Sequence, residues 1–479
     1  MFLSRFRTIR AESQPSYVLG APISNAMTVA MQRGVFLFKR LLFLFLAVSA
    51  VSLVITGCGG GGSASNSTED ANKTAVRAHL ADAYLWYNQI VDVVPANYTT
   101  APDYFDALLV RSSDRFSFSL PIADATSQLQ EGKETGFGIR WGVTGSRIFA
   151  LYVDPNSQVA NVITRGAELT AVNGLNLAFL STDDLNNALF PGQPGKSVSI
   201  TFRLPGTSTT QTRSMVTGTF DSTTVGQPSV FALAGGARVG YLLFNQHLPV
   251  SESALSQAMT YFKQQGITEL VLDMRYNGGG YLFIAEEVAS MIGGAAVQGQ
   301  VFEQLIFNAR HPEKTGDAAN THGFPARDTN NSLLPQLGLS RVFVLTGSST
   351  CSASESIING LAPFVQVVQI GRTTCGKPYG SIQHDIGNQA YFALQFEGVN
   401  ANGTDNYKAG FTPTCTVDDD LNYPLGDQRE ERLKAALYYA ANNSCPAPTT
   451  VTLPKGLADS IPAGDVQILG EKPGLKLVK

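Results

Sequence analysis

The sequence runs to 479 residues, 44% of them hydrophobic, which allows two or three domains and an ample core. Its 34 basic and 38 acidic residues give a net charge of −4. No block of Lys or Arg follows the first 57 residues to track a phosphate backbone, which argues against nucleic acid as a partner.

Residues 1–26 form a polar leader without hydrophobic periodicity, so that translation from Met27 or Met31 stays open. Lys39-Arg40 then precede an apolar run, Leu41 to Ile55, closed by Thr56-Gly57-Cys58. A charged region, an apolar stretch of this length and a small residue before a cysteine describe a secretory signal; a short membrane anchor is the alternative. The end of the segment resembles a bacterial lipobox. That resemblance implies cleavage before Cys58, lipid on its thiol and amine, and a place in the bacterial cell envelope facing the periplasm or the exterior. Without residues 1–57 the chain holds 28 basic and 37 acidic residues. Residues 58–68 read as a Gly/Ser-rich tether.

Residues 69–130 are expected to be helical. Val76, Leu80, Tyr84, Tyr87 and Val91 recur at spacings of three and four, one face of an amphipathic helix. His79 is expected at the surface, and Asp103 to Val110 in a second helix.

Residues 135–217 resemble a PDZ domain in four successive pieces. Thr135, Gly136, Phe137, Gly138 and Ile139 resemble the loop whose backbone amides capture a peptide carboxylate. This loop leads into a strand that a peptide can extend. Val162 to Gly174 looks like a strand and turn, Ser181 to Phe190 like the groove helix, and Ser197 to Leu204 alternates as a closing strand.

Residues 219–445 alternate strand and helix patterns. Gly240 to Phe244 predicts a strand, Ser251 to Gln265 a helix capped by Ser251 and stopped by Gly266, and Leu270 to Met274 a buried strand. Gly278-Gly279-Gly280 follows, then a helix over Tyr281 to Ile292. Asp273 and Arg275 read as structural charges at the strand's end. Arg310 to Leu334 is a long polar loop whose His311 and His322 lack the clustered ligands of a zinc site. One strand is expected over Tyr391 to Phe396, and a helix over Gln428 to Asn442.

Between them, Val342 to Leu345 ends in small polar residues before Ser352, a helical segment spans Ser354 to Leu361, and a second apolar run, Phe364 to Ile370, precedes Lys377 in a Gly-bounded turn. In a βαβ unit both strand exits lie at one edge of a parallel sheet, so the hydroxyl and the amine can meet. A serine becomes nucleophilic when a base takes its proton, and a desolvated lysine can act as that base. The same Ser352-Ala353-Ser354-Glu355 is also a capping box, which explains Ser352 without chemistry.

CSASES, with the Lys of TTCGKPYG 25 positions after Ser352, resembles the carboxy-terminal processing peptidases, the tail-specific serine proteases. VLDMRYNGGG resembles that family's glycine loop. The resemblance implies a nucleophile at Ser352, a base at Lys377 and an oxyanion hole from the backbone of Gly278, Gly279 and Ala353, with no metal or organic cofactor. The family's Gln four residues after the Lys is here Ser381, and the nearest Gln is Gln383; either is a candidate to orient the amine.

Cys58 apart, Cys351, Cys375, Cys415 and Cys445 allow three pairings in an oxidising compartment. Cys415 with Cys445 would close the last helix onto the body, and Cys351 with Cys375 would brace the two strand exits; a free Cys351 nucleophile is the rival. The tail, 446–479, is Pro/Gly-punctuated and expected extended or without structure.

The expected architecture is an α/β catalytic body of ClpP/crotonase-like type, a PDZ-like β-rich module and a small N-terminal helical region. The expected function is a lipid-anchored serine endopeptidase acting on proteins with a free C-terminus. A non-catalytic peptide-binding envelope lipoprotein, or an envelope scaffold recruiting partners through the PDZ-like module, is the alternative.

Overall fold

The computed structural model describes Phe2–Leu3, residues 64–447 and residues 466–469. The expected signal sequence, the lipidation site at Cys58 and most of the tail lie outside these residues. Among the described residues no helix is long and apolar enough to cross a membrane.

Helix α1 (Ala64–Ala83) begins inside the expected tether. It buries Val76, Leu80 and the following Tyr84 against Tyr104, Phe105 and Leu108. These three lie on α2 (Ala101–Leu108), whose Thr100 cap accepts from the Asp103 N–H at 3.2 Å. The apolar spacing continues to Val91, but the helix ends at Ala83: Tyr87 starts a 3₁₀ turn and Val91 is 77% exposed. His79 is not a surface residue; its ring stacks on His384 with centroids 4.0 Å apart.

After β1 (Phe118–Pro121) comes a β-rich module. Its β2 (Lys133–Gly136) pairs antiparallel with β8 (Gly218–Asp221). The other strands are β3 (Ile139–Thr144), β4 (Arg147–Val153), β5 (Glu168–Val172), β6 (Ser197–Arg203) and β7 (Thr210–Val216), antiparallel in the order β3-β4-β5-β6-β7. Val198, Ile200 and Phe202 point from alternate positions of β6 into a core around Trp141, Ala150 and Leu169, the period of two that a half-buried strand requires. Helix α3 (Thr182–Leu189) is capped by Ser181, which accepts from the Asp184 N–H. The stretch from Val162 to Gly174 holds strand only over β5; Asn173 and Gly174 turn it with φ of 50° and 78°.

The body is built on a sheet ordered β9 (Ser229–Ala232), β10 (Arg238–Leu243), β11 (Glu269–Asp273), β14 (Arg341–Thr346), β15 (Gln366–Gly371) and β20 (Cys415–Thr416), parallel except for the first pair. Its connections are α4 (Glu252–Gln265), α5 (Leu282–Gly293) and α6 (Ala353–Leu361). Leu270, Leu272, Val342 and Val344 face one apolar layer with these helices. Val271, Phe343, Leu345 and Ile370 face a second, covered by α7 (Glu431–Asn442). Burial on both faces is what the continuous apolar runs encode, each fully buried aliphatic side chain contributing about 1.5–3 kcal/mol. Gly266 ends α4 in the left-handed conformation, φ 60°. Ser251 is no cap; its hydroxyl donates to the Leu248 carbonyl.

A second sheet runs β16 (Tyr379–Ile382), β19 (Leu394–Val399), β12 (Val301–Phe307), β13 (Thr321–Gly323), with Phe2–Leu3 alongside β16. A third runs β17 (His384–Ile386), β18 (Gln389–Phe392), β1. The single strand expected over Tyr391 to Phe396 is therefore two, in different sheets and parted at Ala393. The loop after β12 contributes β13, and His322 Nδ1 lies 2.8 Å from Glu286 Oε1. Among the described residues of the tail is one short strand, β21 (Gln467–Ile468), beside β3.

Arg275 is the structural charge expected after β11. Fully buried, it meets Asp273 at 2.9 Å, Asp419 at 2.8 Å and Glu430 at 2.7 Å. Arg165, from the module, joins the same cluster through Asp419 at 2.6 Å and Tyr276 Oη at 2.6 Å.

Candidate active site

Strand β14 delivers the chain to a loop that is fixed before it reaches Ser352. Thr350 Oγ1 donates to the Met274 carbonyl at 2.8 Å and the Cys351 N–H to the Asn277 carbonyl at 3.1 Å. Ser352 itself has φ 60° and ψ −118°, a conformation that costs a residue with a side chain on the order of 1–3 kcal/mol. Such strain persists only where the surroundings impose it. The hydroxyl is buried and makes no hydrogen bond. The Ser352 N–H donates to Glu355 Oε2 at 3.0 Å, the reciprocal contact of the expected capping box.

Glu355, in the first turn of α6, ties the two strand exits together. Its buried carboxylate also accepts from Thr374 Oγ1 at 2.5 Å and from the N–H groups of Gly376 and Lys377, each at 2.8 Å. Burial raises its pKa, against the pull of these donors. A disulfide between Cys351 and Cys375 spans the same gap, with Cα atoms 5.2 Å apart, and the Cys375 N–H donates to the Thr350 carbonyl at 3.0 Å. The second expected disulfide, Cys415 with Cys445, is present as well. The reading of Cys351 as a free thiol falls with the first bridge. Among the described residues the one cluster with ligand geometry for a metal is Cys351, Glu355 and Cys375. Its sulfurs are bonded to each other and its carboxylate is filled by N–H and O–H donors, so the group is a brace.

Lys377 is 6% exposed, and burial lowers its pKa from the ordinary lysine value, opposed by the charges of Asp114 and Glu355. Its Nζ sits 5.1 Å from the centre of the Phe116 ring. The N-terminal region thus walls the lysine, with Asp114 accepting from Tyr84 Oη and from the N–H groups of Phe116 and Ser117, each at 2.8 Å. The sequence reading took this region only as helical. Ser352 and Lys377 stand on neighbouring, cross-linked turns without a hydrogen bond between the hydroxyl and the amine. The two candidates for orienting the lysine are engaged elsewhere: Ser381 Oγ donates to the Phe392 carbonyl at 3.3 Å, and Gln383 Nε2 to Asp385 at 2.9 Å.

The glycine loop lies against Ser352. A Cβ on Gly279, whose φ is +99°, would stand 2.9 Å from Ser352 Cβ and from the Ala353 nitrogen; one on Gly280 would stand 2.3 Å from the His247 carbonyl oxygen. Only glycine fits either place. Asn277 Oδ1 accepts the Gly279 N–H at 2.9 Å and lies 3.1 Å from His247 Nδ1, while Asn277 Nδ2 donates to the Phe244 carbonyl. His247 is fully buried, with its pKa lowered to about 3 by that burial and its Nε2 unpartnered. A lone His in an apolar strand exit offered no signal from sequence.

A cleft of about 660 Å³ opens beside this loop. Its lining includes Gly279 and Gly280, Thr135, Phe137 and Gly138, and Leu189 and Phe190 from the end of α3. The sequence-predicted peptide loop and glycine loop therefore share one cavity.

Ser352 thus sits on a strained strand-to-helix turn, joined by a disulfide to the turn of the buried Lys377 and backed by a glycine loop. Residues 238–417 match the model of peptidase family S41, and residues 71–118 match the model of the peptidase S41 N-terminal domain. It is 25% identical over 277 residues to carboxy-terminal processing protease CtpB of Bacillus subtilis, covering 56% of this chain and 52% of that protein. It is 26% identical over 306 residues to the chloroplastic C-terminal processing peptidase of Tetradesmus obliquus, covering 60% and 61%. The chain thus spans about half to three fifths of the length of these relatives. An S41 protease structure from Bacteroides fragilis superposes with a TM-score of 0.62 at 22% identity, over 77% of this chain and 97% of that one, a likeness of fold.

Proposed function

We propose that this chain is a serine endopeptidase that cuts proteins recognised through their C-terminal segment. The observation that carries the reading is the joint fixing of the Ser352 and Lys377 turns by Glu355 and the Cys351–Cys375 bridge. The substrate's tail lies along β3, its carboxylate toward the Thr135 to Ile139 loop, in the manner of a PDZ domain. Lys377 Nζ takes the Ser352 proton as Oγ bonds to the peptide carbonyl carbon. The oxyanion is received by N–H groups of the Gly278 and Gly279 loop and of Ala353, Gly279 first leaving Asn277 Oδ1. The amine departs with the proton returned by Lys377, and water, deprotonated by the same lysine, releases the acyl group. Lipid on Cys58 holds the enzyme at the envelope membrane. No metal or organic cofactor enters these steps.

The test is cleavage of an unfolded protein with an apolar C-terminus by the parent chain, Ser352→Ala and Lys377→Ala. Activity in the parent alone supports the dyad. Activity in all three removes the site assignment. A second reading, a peptide-binding lipoprotein without catalysis, is favoured by the missing hydrogen bond between Ser352 Oγ and Lys377; peptide binding with no cleavage by the parent would establish it.

A further inference from the structure

The described part of the tail is not idle. Val466 to Leu469 runs antiparallel along β3, the edge strand of the module: Gln467 stands opposite Val143, Ile468 opposite Gly142, and the Leu469 N–H donates to the Trp141 carbonyl at 2.9 Å. Passing from Gln467 to Leu469, the segment moves from Val143 toward Trp141 and so toward the Thr135 to Ile139 loop. This is the strand edge and the direction that a substrate's C-terminal segment would use.

Side chains fix the register as well as backbone. Val466 is buried with Phe149, Leu151, Tyr276 and Leu421 on one face, where Ile468 packs too, while Leu469 packs against the module's own core on the other. Gly142 allows this approach, since a Cβ there would meet Val466 Cγ1 at 2.6 Å and Leu151 Cδ1 at 2.4 Å. Ile468 and Leu469 line the same cleft as Phe137, Gly138 and Gly279. Ser348 Oγ, in the loop that leads to Ser352, donates to the Val466 carbonyl at 3.5 Å.

We propose that Val466 to Leu469 is a built-in ligand of the β3 edge that competes with substrate for the docking groove. The inference rests on the reading of the module as the substrate's docking site. It also specifies the ligand class: an extended segment with aliphatic side chains on both faces, three of four positions in Val-Gln-Ile-Leu. A ligand held in the same chain acts at a local concentration on the order of mM, so a free peptide of equal intrinsic affinity in the micromolar range is outcompeted by tenfold or more.

The experiment uses the full chain and its Ile468→Asp/Leu469→Asp variant, with a substrate peptide ending in aliphatic residues, and a fluorescent copy of that peptide titrated into both on a Ser352→Ala background. Release of the tail is expected to tighten peptide binding and lower KM by about tenfold or more, with the change falling on KM rather than kcat. A synthetic peptide of residues 463–472 is expected to inhibit the variant competitively. Equal peptide affinity in both chains, with measurable binding, overturns the proposal while leaving the docking reading intact. Binding to neither chain, both folded by circular dichroism, overturns the docking reading and the proposal with it.

Discussion

The backbone N–H of Lys377 donates to Glu355 Oε2 at 2.8 Å, so the Lys377 turn hangs from the first helical turn behind Ser352. Glu355→Ala leaves the N–H groups of Ser352, Gly376 and Lys377 and the Thr374 hydroxyl without their acceptor. Each unsatisfied buried donor costs about 1–3 kcal/mol, and some refill with water. The expected outcome is a loss of about 3–5 kcal/mol in urea unfolding and of about 100-fold or more in peptide cleavage, with Glu355→Gln intermediate in both.

The strained conformation of Ser352 predicts a trade between stability and activity. Ser352→Gly removes the Cβ that makes φ 60° costly and is expected to raise unfolding free energy by about 1 kcal/mol while abolishing cleavage. Ser352→Ala, which keeps the Cβ, is expected to abolish cleavage without that gain. Parallel denaturant titrations of the two variants check the difference.

Removing the bridge across the catalytic turns separates its effect from that of the other disulfide. Cys351→Ala/Cys375→Ala is expected to cost about 2–4 kcal/mol and to lower kcat, because the nucleophile and base turns lose their covalent tie. Cys415→Ala/Cys445→Ala is expected to cost a similar amount while leaving kcat near the parent value. Differential unfolding and steady-state kinetics on both pairs make the comparison.

The stacked His79 and His384 give a pH dependence of stability. His79 is held near a pKa of about 4, by burial first and by His384 second, against an ordinary value of 6.5. As pH falls from 6.5 to 4 the unfolded chain takes up this proton before the folded one does, so stability is full above 6.5 and declines across that window. His79→Phe is expected to flatten the decline, read as a smaller drop in Tm between pH 7 and pH 5.

The parts of the site that were legible in the sequence are those written in contiguous residues. CSASES and CGKPYG place a serine and a lysine at two strand exits, with a cysteine beside each. The parallel core was legible because Leu270 to Leu272 and Val342 to Leu345 are short apolar runs bounded by polar residues. What was not legible depends on residues far apart in the chain. Asp114 and Phe116 reach Lys377 across more than 250 positions, and nothing local marks them. Glu355 was visible only as a helix cap, because a capping box looks the same whether its carboxylate serves one N–H or three. Tyr87 and Val91 keep the helical spacing of α1 after the helix has ended, so periodicity overran the boundary. The strand at Gln467 owes its form to the β3 edge, and a two-residue strand has no pattern of its own.

Arg165 reaches out of the β-rich module into a fully buried cluster with Asp419 and Arg275 of the body. Separating the module from the body would strand these charges in a medium that cannot solvate them, a penalty of several kcal/mol. The two parts are thus bound into a single calorimetric unit, and the chain is expected to melt in one endotherm where its architecture alone would suggest two.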